Sequence, residues 1–327
     1  MWADMIETNG RTPRMESGKT SPEALIASLD DANARLFVRL LGRPDGHDML
    51  YRISGTVHNH VPGDVYGKVF PHGRVLFGVE GYNIRRLINP PGTDDLHMVS
   101  REIVFYTDPK DGTVLTEWTN PLDGHTRPLP PIANDRVQLS YRIRDGALYA
   151  LFGPAEVPLA ASVAPRRVHR NLVWTLDVPP VYRLADRYGI DDDFGLANST
   201  YTSWELFDFL VHEDDAHAYS GTDAATRTGA MPVSNCWSRI CPYVPAMGIA
   251  ESETPGNLVY HARAWSMDGF DALEPWLADL VRTHHPLYTS APDTPGSEPN
   301  TTTWTAFHAD VLAPRGLTWR EWRDTAH

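Results

Sequence analysis

The sequence predicts a mainly β protein of the α+β class, built on a large antiparallel meander that forms a barrel or a curved half-barrel with peripheral helices. Three observations support this prediction. Apolar and polar residues alternate along many short segments, as they do in strands with one buried face. Turn residues separate these segments at intervals of roughly 8–15 residues, which suits a meander better than βαβ units. Segments with helical periodicity are few.

The N-terminal part of the chain is predicted to differ from the rest. Residues 1–24 are mostly polar and are interrupted by Gly and Pro, which is typical of a poorly ordered arm. A short helix is expected within residues 24–41, where apolar residues recur at helical spacing. Residues 25–327 are then expected to form a single β-rich, barrel-like domain with helices at its C-terminal end.

The strands are predicted from alternation and from the turns between them. The predicted segments are 51–57, 75–79, 103–106, 114–118, 137–143, 147–152, 172–176, 200–211, 258–265 and 302–311. Asp145-Gly146 is typical of a two-residue hairpin turn between two of them. A sheet of about ten strands must either close or curl, so a barrel or a half-barrel is expected. Helices are predicted at 271–283 and 317–324.

Charge and composition exclude several classes of partner. The 327 residues include 29 basic and 42 acidic side chains, which gives a formal charge of −13, so a nucleic acid is not an expected partner. No apolar run approaches the roughly 18 residues that span a bilayer, so no membrane association is expected. The first residues lack the apolar core of a secretory signal, which indicates a cytoplasmic protein. The oligomeric state is left open.

Sequence motifs for common cofactors and nucleophiles are missing. The chain contains no G-x-G-x-x-G and no G-x-S-x-G, so neither a dinucleotide site nor a nucleophile elbow is indicated. Cys236 and Cys241 stand alone, without the second pair or the closely spaced histidines that zinc sites usually need. Two free thiols are therefore expected.

Several phrases together resemble an uncharacterised domain-of-unknown-function family of bacteria and fungi. They are, in order, RISGTV at 52–57, VPGD at 61–64, LFGVEGYNIRR at 76–86, SRE at 100–102, YTDP at 106–109, WTNP at 118–121 and ND at 134–135. The resemblance continues through Trp237, Met247-Gly248, Tyr260-His261 and Trp304, and so covers most of residues 45–310. It implies a single enzyme-sized domain. It supplies no catalytic residues, which must be argued from chemistry.

His58 and His60 form the first candidate site. Alternate residues of a strand point to the same face, so both imidazoles are expected to aim at one spot. With a carboxylate such as Asp64 or Glu80, they would complete a two-His-one-carboxylate site for iron, manganese or zinc. The spacing is superficially similar to a cupin motif but departs from it in the glycine and the carboxylate. The alternative is a pair of exposed histidines at a strand end.

The stretch around Glu80 forms the second candidate site. Glu80 is expected to act as a general base if it is buried, because desolvation raises the pKa of a carboxyl group. Arg85 or Arg101 would hold a substrate carboxylate or enolate, and Tyr82 and Asn83 would line the same site. The alternative is a structural network of ion pairs that pins the sheet.

Aromatic residues and two histidines form the third candidate site. Trp118, which begins a turn-like WTNP phrase, and five later residues are expected to line a cavity; the five are Tyr201, Trp204, Trp237, Tyr260 and Trp304. His261 and His308 are candidate acids or bases beside them, His308 on the predicted strand that carries Trp304. The alternative is that these side chains belong to the core or its rim.

The leading hypothesis is an acid–base enzyme without a cofactor. It would bind a small aromatic or polyketide-like metabolite in the barrel and act as an isomerase, cyclase, dehydratase or lyase. Glu80, His261 and His308 would be its catalytic residues. The first alternative is an oxygenase or hydrolase that uses a single divalent transition metal on His58 and His60. The second is a barrel that binds a small molecule without catalysis.

Overall fold

A computed structural model describes residues 21–61, 72–159, 163–221, 229–251 and 253–325 of the chain. The strands in these ranges are β1 (Met49–His60), β2 (Val75–Ile88), β3 (Asp95–Thr107), β4 (Glu117–Thr119), β5 (Thr126–Pro128), β6 (Ile132–Arg144), β7 (Ala147–Phe152), β8 (Ala155–Pro158), β9 (Arg166–Val168), β10 (Asn171–Val178), β11 (Val181–Arg183), β12 (Thr200–Thr202), β13 (Trp204–His212), β14 (Ser234–Cys241) and β15 (Asn257–Met267). The α-helices are α1 (Pro22–Ala27), α2 (Ala32–Leu41), α3 (Leu184–Tyr188), α4 (Glu213–Ser220), α5 (Pro275–His284), α6 (Thr303–Phe307) and α7 (Trp319–Thr325).

One antiparallel sheet of eleven strands dominates the fold, in the order β8-β7-β6-β3-β2-β1-β15-β14-β13-β10-β9. Its centre is the pair of β1 and β15, the first and last strands in sequence. In the part of the chain that the structure describes, β8 and β9 are the free edges and do not pair, so the sheet is not closed into a barrel. The prediction of a mainly antiparallel α+β fold with a curved half-barrel is confirmed, and the closed barrel is not what forms.

Strand alternation gives the sheet two different faces. The inner face carries the main core, which includes Phe77, Tyr106 and Phe209, and the N-terminal and C-terminal helices pack into the same core. The outer face carries a smaller core, in which Leu277 and Val281 of α5 are buried with Tyr82 and other strand residues. Successive residues of one strand therefore lie in different environments. This separation decides which candidate residues can meet.

Several predicted elements are confirmed in detail. The hairpin of β6 and β7 turns at Asp145 and Gly146, whose φ angles of 51° and 75° are those that a two-residue turn of this kind requires. The predicted segments 172–176 and 258–265 lie within β10 and β15, and 200–211 is divided between β12 and β13. Cys236 and Cys241 are free thiols. None of the helices in the described ranges is long and apolar enough to cross a lipid bilayer.

The prediction of a strand over residues 302–311 is wrong. Thr302 and Thr305 form a capping box, in which each side chain bonds to the other residue's backbone N–H, and α6 begins there. Trp304 and His308 are thus four residues apart at the end of one helical turn, and Ala306 does not share their side. Apolar and polar residues alternate in this segment only by chance, because the segment is a short helix of about one turn.

The N-terminal helical segment also differs from its prediction. The single helix expected within 24–41 is two helices, because the Asp31 side chain accepts from the backbone N–H of Asn33 and caps a new start at α2. Of the predicted arm, residues 1–20 lie outside the described residues, and α1 begins at Pro22. Strand β14 had no counterpart among the predicted strands, although it carries Trp237.

Candidate functional site

A group of polar residues occupies the inner face of the sheet, where alternation would normally place apolar side chains. We call it the inner-face cluster, and its members are Asn83, Arg85, Glu102, Tyr106, Asn134, Tyr201, Glu205, Arg239 and Tyr260. They come from both halves of the sheet and from β12. Buried polar groups of this kind need partners, so their hydrogen bonds decide what the cluster can do.

The first row of the cluster runs across β2, β3 and β6. Asn83 is directly opposite Glu102, which is directly opposite Asn134. The Asn134 side-chain amide donates to Glu102 at 3.0 Å. The Arg85 Nε donates to the side-chain amide oxygen Oδ1 of Asn83 at 2.9 Å, and its guanidinium lies over the ring of Tyr51, 4.7 Å from the centroid. Glu102 is therefore held by amide donors with a cation nearby.

The second row runs across β13, β14 and β15. Glu205 is directly opposite Arg239, which is directly opposite Tyr260. Arg239 Nη2 donates to the Tyr201 hydroxyl at 2.8 Å, and Arg239 Nε lies 3.7 Å from a Glu205 oxygen. The indole N–H of Trp237 donates to the other Glu205 oxygen at 3.2 Å. The second carboxylate thus faces a guanidinium and an indole donor.

Curvature brings the two rows together across the inner face. The hydroxyl of Tyr106 on β3 lies 3.0 Å from the hydroxyl of Tyr260 on β15, although β2 and β1 separate these strands in the sheet. Burial, followed by the charge of Glu205, raises the pKa of Glu102; Arg239 and Asn134 act in the opposite direction. The charges of Glu205 and Arg239 in the second row thus act in opposite directions on Glu102 in the first row.

The hydroxyl and thiol groups of the cluster remain protonated at ordinary pH. Burial raises the pKa of Tyr106 and of Tyr260, and it raises the pKa of the Cys241 thiol to about 11. Cys241 is fully buried, so it is not a candidate nucleophile. The two tyrosines are hydrogen-bond donors rather than bases.

Aromatic rings form the walls around Arg239. Its guanidinium lies 5.6 Å from the ring centroid of Tyr260 and 5.8 Å from that of Trp304. Trp304 packs on Tyr201 with 4.6 Å between centroids, and Trp237 packs on Tyr260 at 5.6 Å. Such rings offer flat apolar surfaces to a planar ligand, and they strengthen the electrostatic effect of the cation that they surround.

Three buried polar atoms of the cluster and of Trp304 make no hydrogen bond within the described residues. Arg239 Nε, Asn134 Oδ1 and Trp304 Nε1 find no hydrogen-bond partner among the residues that the structure describes. Their residues are only 7%, 8% and 1% exposed. Arg85, Glu102 and Glu205 are half-buried, so solvent reaches part of the cluster. A bound molecule or water can satisfy such atoms.

An apolar pocket of about 190 Å³ lies between the start of β6, the segment around Pro245, helix α6 and Tyr288. No member of the inner-face cluster lines it. Ala133 in its wall is directly opposite Ile103 of the outer core, and so lies on the other face of β6 from Asn134. A second, more polar pocket of about 320 Å³ lies between Asp123, Arg127 and α7.

Six residues predicted to bind substrate lie on the inner side of the sheet. They are Asn83, Arg85, Tyr201, Trp237, Tyr260 and Trp304. Trp118 packs on Phe77 at 5.7 Å, at the edge of the same core. His308 is half-buried and follows α6, one turn after Trp304.

Glu80 and Tyr82 lie on the outer face, because they alternate with the inward Val79 and Asn83. Glu80 is 2.6 Å from Arg52 and accepts from Ser54 at 2.7 Å; Arg52 also pairs with Glu274 at 2.9 Å. This is the structural network of ion pairs that was the alternative interpretation. The Tyr82 hydroxyl donates to the backbone of Tyr288 at 2.8 Å.

Arg101, Trp204 and His261 also lie on the outer face, each next to an inward residue. Arg101 pairs with Asp135 at 2.8 Å. Trp204 is 46% exposed and donates to Asp177. His261 is exposed, with Nδ1 3.3 Å from the Ser238 hydroxyl. Their neighbours Glu102, Glu205 and Tyr260 belong to the inner-face cluster.

His58 and His60 lie where β1 deviates from regular pairing with β2. The Nε2 of His58 is 2.9 Å from the Thr56 hydroxyl, and its Nδ1 is 3.4 Å from the Gly73 carbonyl oxygen. The exposed ring of His60 meets that of His72 edge-on, with 5.2 Å between centroids. The ranges given above contain no group of three or more His, Cys, Asp or Glu side chains that could hold a metal ion. Asp64, the nearest carboxylate in sequence, lies outside the described residues.

None of Glu102, Tyr106, Asn134, Glu205 and Arg239 was assigned a role from the sequence. The alternation of residues along each strand could have identified some of them. Glu102 is on the same face of β3 as the apolar residues Leu96, Met98, Val104 and Tyr106. Charged side chains are rarely buried, so a carboxylate on the otherwise apolar face of a strand indicates a candidate functional group.

A comparison with family models gives a match over most of the chain. A family described as a protein of unknown function, DUF1838, matches residues 46–311. The match spans β1 to β15 and α6, and therefore contains every member of the inner-face cluster. A search of the curated proteins found no match.

Proposed function

The chain belongs to the DUF1838 family, and from the geometry of its inner face we propose that it is an enzyme that transfers protons on a small organic molecule. The observation that carries this proposal is the presence of two interacting carboxyl groups, Glu102 and Glu205, in one partly accessible cluster. Acid–base enzymes separate such groups into an acid and a base by giving them different surroundings. The surroundings differ here in hydrogen-bond partners, since Asn134 donates to Glu102 and Trp237 donates to Glu205.

Glu102 takes the role of the acid. Burial and the neighbouring carboxylate favour its protonated form, and a neutral carboxyl group is able to donate a proton to a substrate oxygen or carbon. Glu205 takes the role of the base and removes a proton from carbon next to a carbonyl group. Both carboxyl groups are half-buried, so exchange with solvent restores their original protonation after turnover.

The remaining members of the cluster stabilise the negative charge that develops on the substrate. Arg239 supplies a buried cation. The hydroxyls of Tyr106 and Tyr260 stay protonated, and because one donates to the other, the pair has one O–H left to donate to the substrate. The aromatic rings around Arg239 favour a planar substrate, such as an aromatic or polyketide-like metabolite. Isomerases, cyclases, dehydratases and lyases all use this proton abstraction beside a carbonyl.

The test is exchange of carbon-bound hydrogen with deuterium from solvent. Small aromatic ketones and keto acids that raise the melting temperature of the protein would be incubated with it in D₂O and followed by NMR. We expect exchange in the wild type and a loss of about 100-fold or more in Glu102→Gln. Glu274→Gln, a carboxylate of the outer face, is the matched control. Undiminished exchange in Glu102→Gln would reject the proposal.

A binding protein without catalysis is the alternative that uses the same cluster. It predicts that ligands bind to the wild type, to Glu102→Gln and to Glu205→Gln with similar affinity and exchange no hydrogen in any of them. The enzyme predicts that at least one of these changes spares binding but removes exchange.

A metal-dependent oxygenase or hydrolase is the second candidate function, and the ring contact between His60 and His72 favours it. His58 and His60 would hold the ion, and imidazole suits zinc, iron and copper. This candidate predicts a metal that is lost in His60→Ala.

A further inference from the structure

The apolar pocket between the start of β6, the segment around Pro245 and helix α6 is a cavity that the proposed mechanism does not use. Its volume is about 190 Å³. An apolar cavity of about 150 Å³ is enough to hold a benzene ring. Pockets for drug-sized ligands, in contrast, begin at about 300 Å³. The pocket therefore has room for one ring with a small substituent.

Most of the wall consists of apolar side chains that the core already holds in place. Pro131 and Ala306 line the pocket together with Val244, Pro245 and Phe307, and the last three are buried. Val244 and Phe307 belong to the main core, so this part of the wall is rigid. Removal of an aromatic ring from water against such a wall is favourable.

Four polar side chains complete the wall, namely His285, Tyr288, Thr303 and Asp310. The rings of His285 and Tyr288 meet edge-on, with 6.4 Å between their centroids. The Thr303 hydroxyl is buried, and it has no hydrogen-bond partner among the residues that the structure describes. A few polar groups in an otherwise apolar wall are typical of a small-molecule site, because they orient the ligand.

The two polar rings of the wall are uncharged at neutral pH. Burial raises the pKa of Tyr288 to about 12, and the charges of Asp135 and Asp310 act in the same direction. Burial, followed by the charge of His284, lowers the pKa of His285 below its ordinary value of 6.5. Tyr288 therefore offers a hydroxyl donor, and the neutral imidazole of His285 offers one donor and one acceptor nitrogen.

Charged ligands suit this pocket less well than neutral ones. Asp310 repels an anion, and none of the described residues in the wall is a lysine or an arginine. The Arg101 guanidinium, which acts on Tyr288 from outside the wall, is paired with Asp135 at 2.8 Å. Asp310 itself is exposed, so water screens its charge and it needs no cation as a partner.

We propose that this pocket binds a small uncharged molecule that consists of one aromatic ring and one hydroxyl group, a simple phenol. The ring of the ligand lies against Pro245, Ala306 and Phe307. Its hydroxyl group accepts a hydrogen bond from Tyr288 and donates one to His285. No member of the inner-face cluster lines the pocket, so this binding site is additional to the proposed catalytic one.

The experiment is a titration of the full chain, followed by fluorine NMR, with three ligands of similar size. They are para-fluorophenol, para-fluorobenzoate and para-fluorobenzylamine, which are neutral, anionic and cationic at neutral pH. We expect the phenol to bind at least about 10-fold more tightly than either charged ligand, because burial of an unpaired charge is unfavourable. Equal or tighter binding of a charged ligand, or no binding of the phenol, would overturn the proposal.

Two variants test whether the phenol occupies this pocket. Ala306→Leu fills the cavity and is expected to abolish binding, whereas Ala309→Leu, an exposed position just after α6, is expected to keep it. Tyr288→Phe keeps the ring and removes the hydroxyl group, and it is expected to weaken binding about 5-fold. Tyr149→Phe on β7 is its matched control. Unchanged binding in both Ala306→Leu and Tyr288→Phe would contradict the assignment.

A further variant separates this site from the inner-face cluster. Glu102→Gln is expected to bind para-fluorophenol as the wild type does, because Glu102 is not in the wall of the pocket. Loss of binding in Glu102→Gln, together with binding retained in Ala306→Leu, would place the phenol at the inner-face cluster and overturn the second site.

Discussion

Tyr106 on β3 and Tyr260 on β15 share a hydrogen bond of 3.0 Å between their buried hydroxyl groups, across the inner face of the sheet. Two strands lie between them in the sheet, so this contact exists only because the sheet curves. It joins β3, a strand of the first row, to β15, a strand of the second row. The acid and the base of the proposed mechanism come from these two rows.

The first prediction concerns the stability of this tyrosine pair. Tyr106→Phe leaves the hydroxyl of Tyr260 buried without its partner, and we expect it to lower the free energy of unfolding by about 1–3 kcal/mol. The double change to Phe at both positions removes both hydroxyls, and should therefore cost less than the sum of the two single changes. Urea denaturation of the four proteins measures this; additive losses would contradict the pairing.

The second prediction concerns the pH dependence of stability. The pKa of Glu102 is raised above its ordinary value of 4.5, so the folded state holds this proton more tightly than the unfolded state. The resulting stabilisation is complete below about pH 4.5 and disappears as the pH rises through the folded-state pKa. Relative to the wild type, Glu102→Gln should therefore gain stability across this interval. Parallel curves of unfolding free energy against pH would contradict the burial of an acid at this position.

The third prediction concerns Glu80, which lies on the outer face. Its carboxylate pairs with Arg52 and is 26% exposed, so solvent screens part of the attraction. Glu80→Gln should lower the free energy of unfolding by about 1 kcal/mol or less, with deuterium exchange on a bound ketone retained. A large loss of exchange in a stably folded variant would return Glu80 to the mechanism.

The fourth prediction concerns metal. If the inner-face cluster carries the activity, dialysis against a chelator leaves deuterium exchange unchanged. Elemental analysis of protein purified without an affinity tag provides the parallel measurement. Loss of exchange on chelation, its recovery with zinc, iron or manganese, and its absence in His58→Ala would favour the metal-dependent alternative instead.

The fold was predictable because strand patterns are local. Alternation and turn residues correctly indicated the antiparallel sheet, and Asp145-Gly146 correctly indicated its hairpin. The segment 302–311 failed because only Thr302 and Thr305 distinguish a one-turn helix from a strand there. Strand β14 escaped prediction because the polar residues Asn235 and Arg239 alternate with Trp237 and Cys241 on its inward face.

The candidate site was predictable only in part, because its assembly depends on tertiary structure. Strand alternation is enough to place Glu80 and Asn83 on opposite faces of β2, and Tyr260 and His261 on opposite faces of β15. No local pattern, however, shows that Glu102 on β3 approaches Glu205 on β13. That approach follows from the curvature of the whole sheet, in which eleven strands cooperate.

The most direct test of proton transfer at the inner-face cluster is deuterium incorporation into a bound aromatic ketone or keto acid by the wild type, Glu102→Gln and Glu274→Gln. We expect similar rates for the wild type and Glu274→Gln. We expect a rate lower by about 100-fold or more for Glu102→Gln, with ligand binding retained. Equal rates in all three proteins, or binding without incorporation in the wild type, would contradict proton transfer at the inner-face cluster.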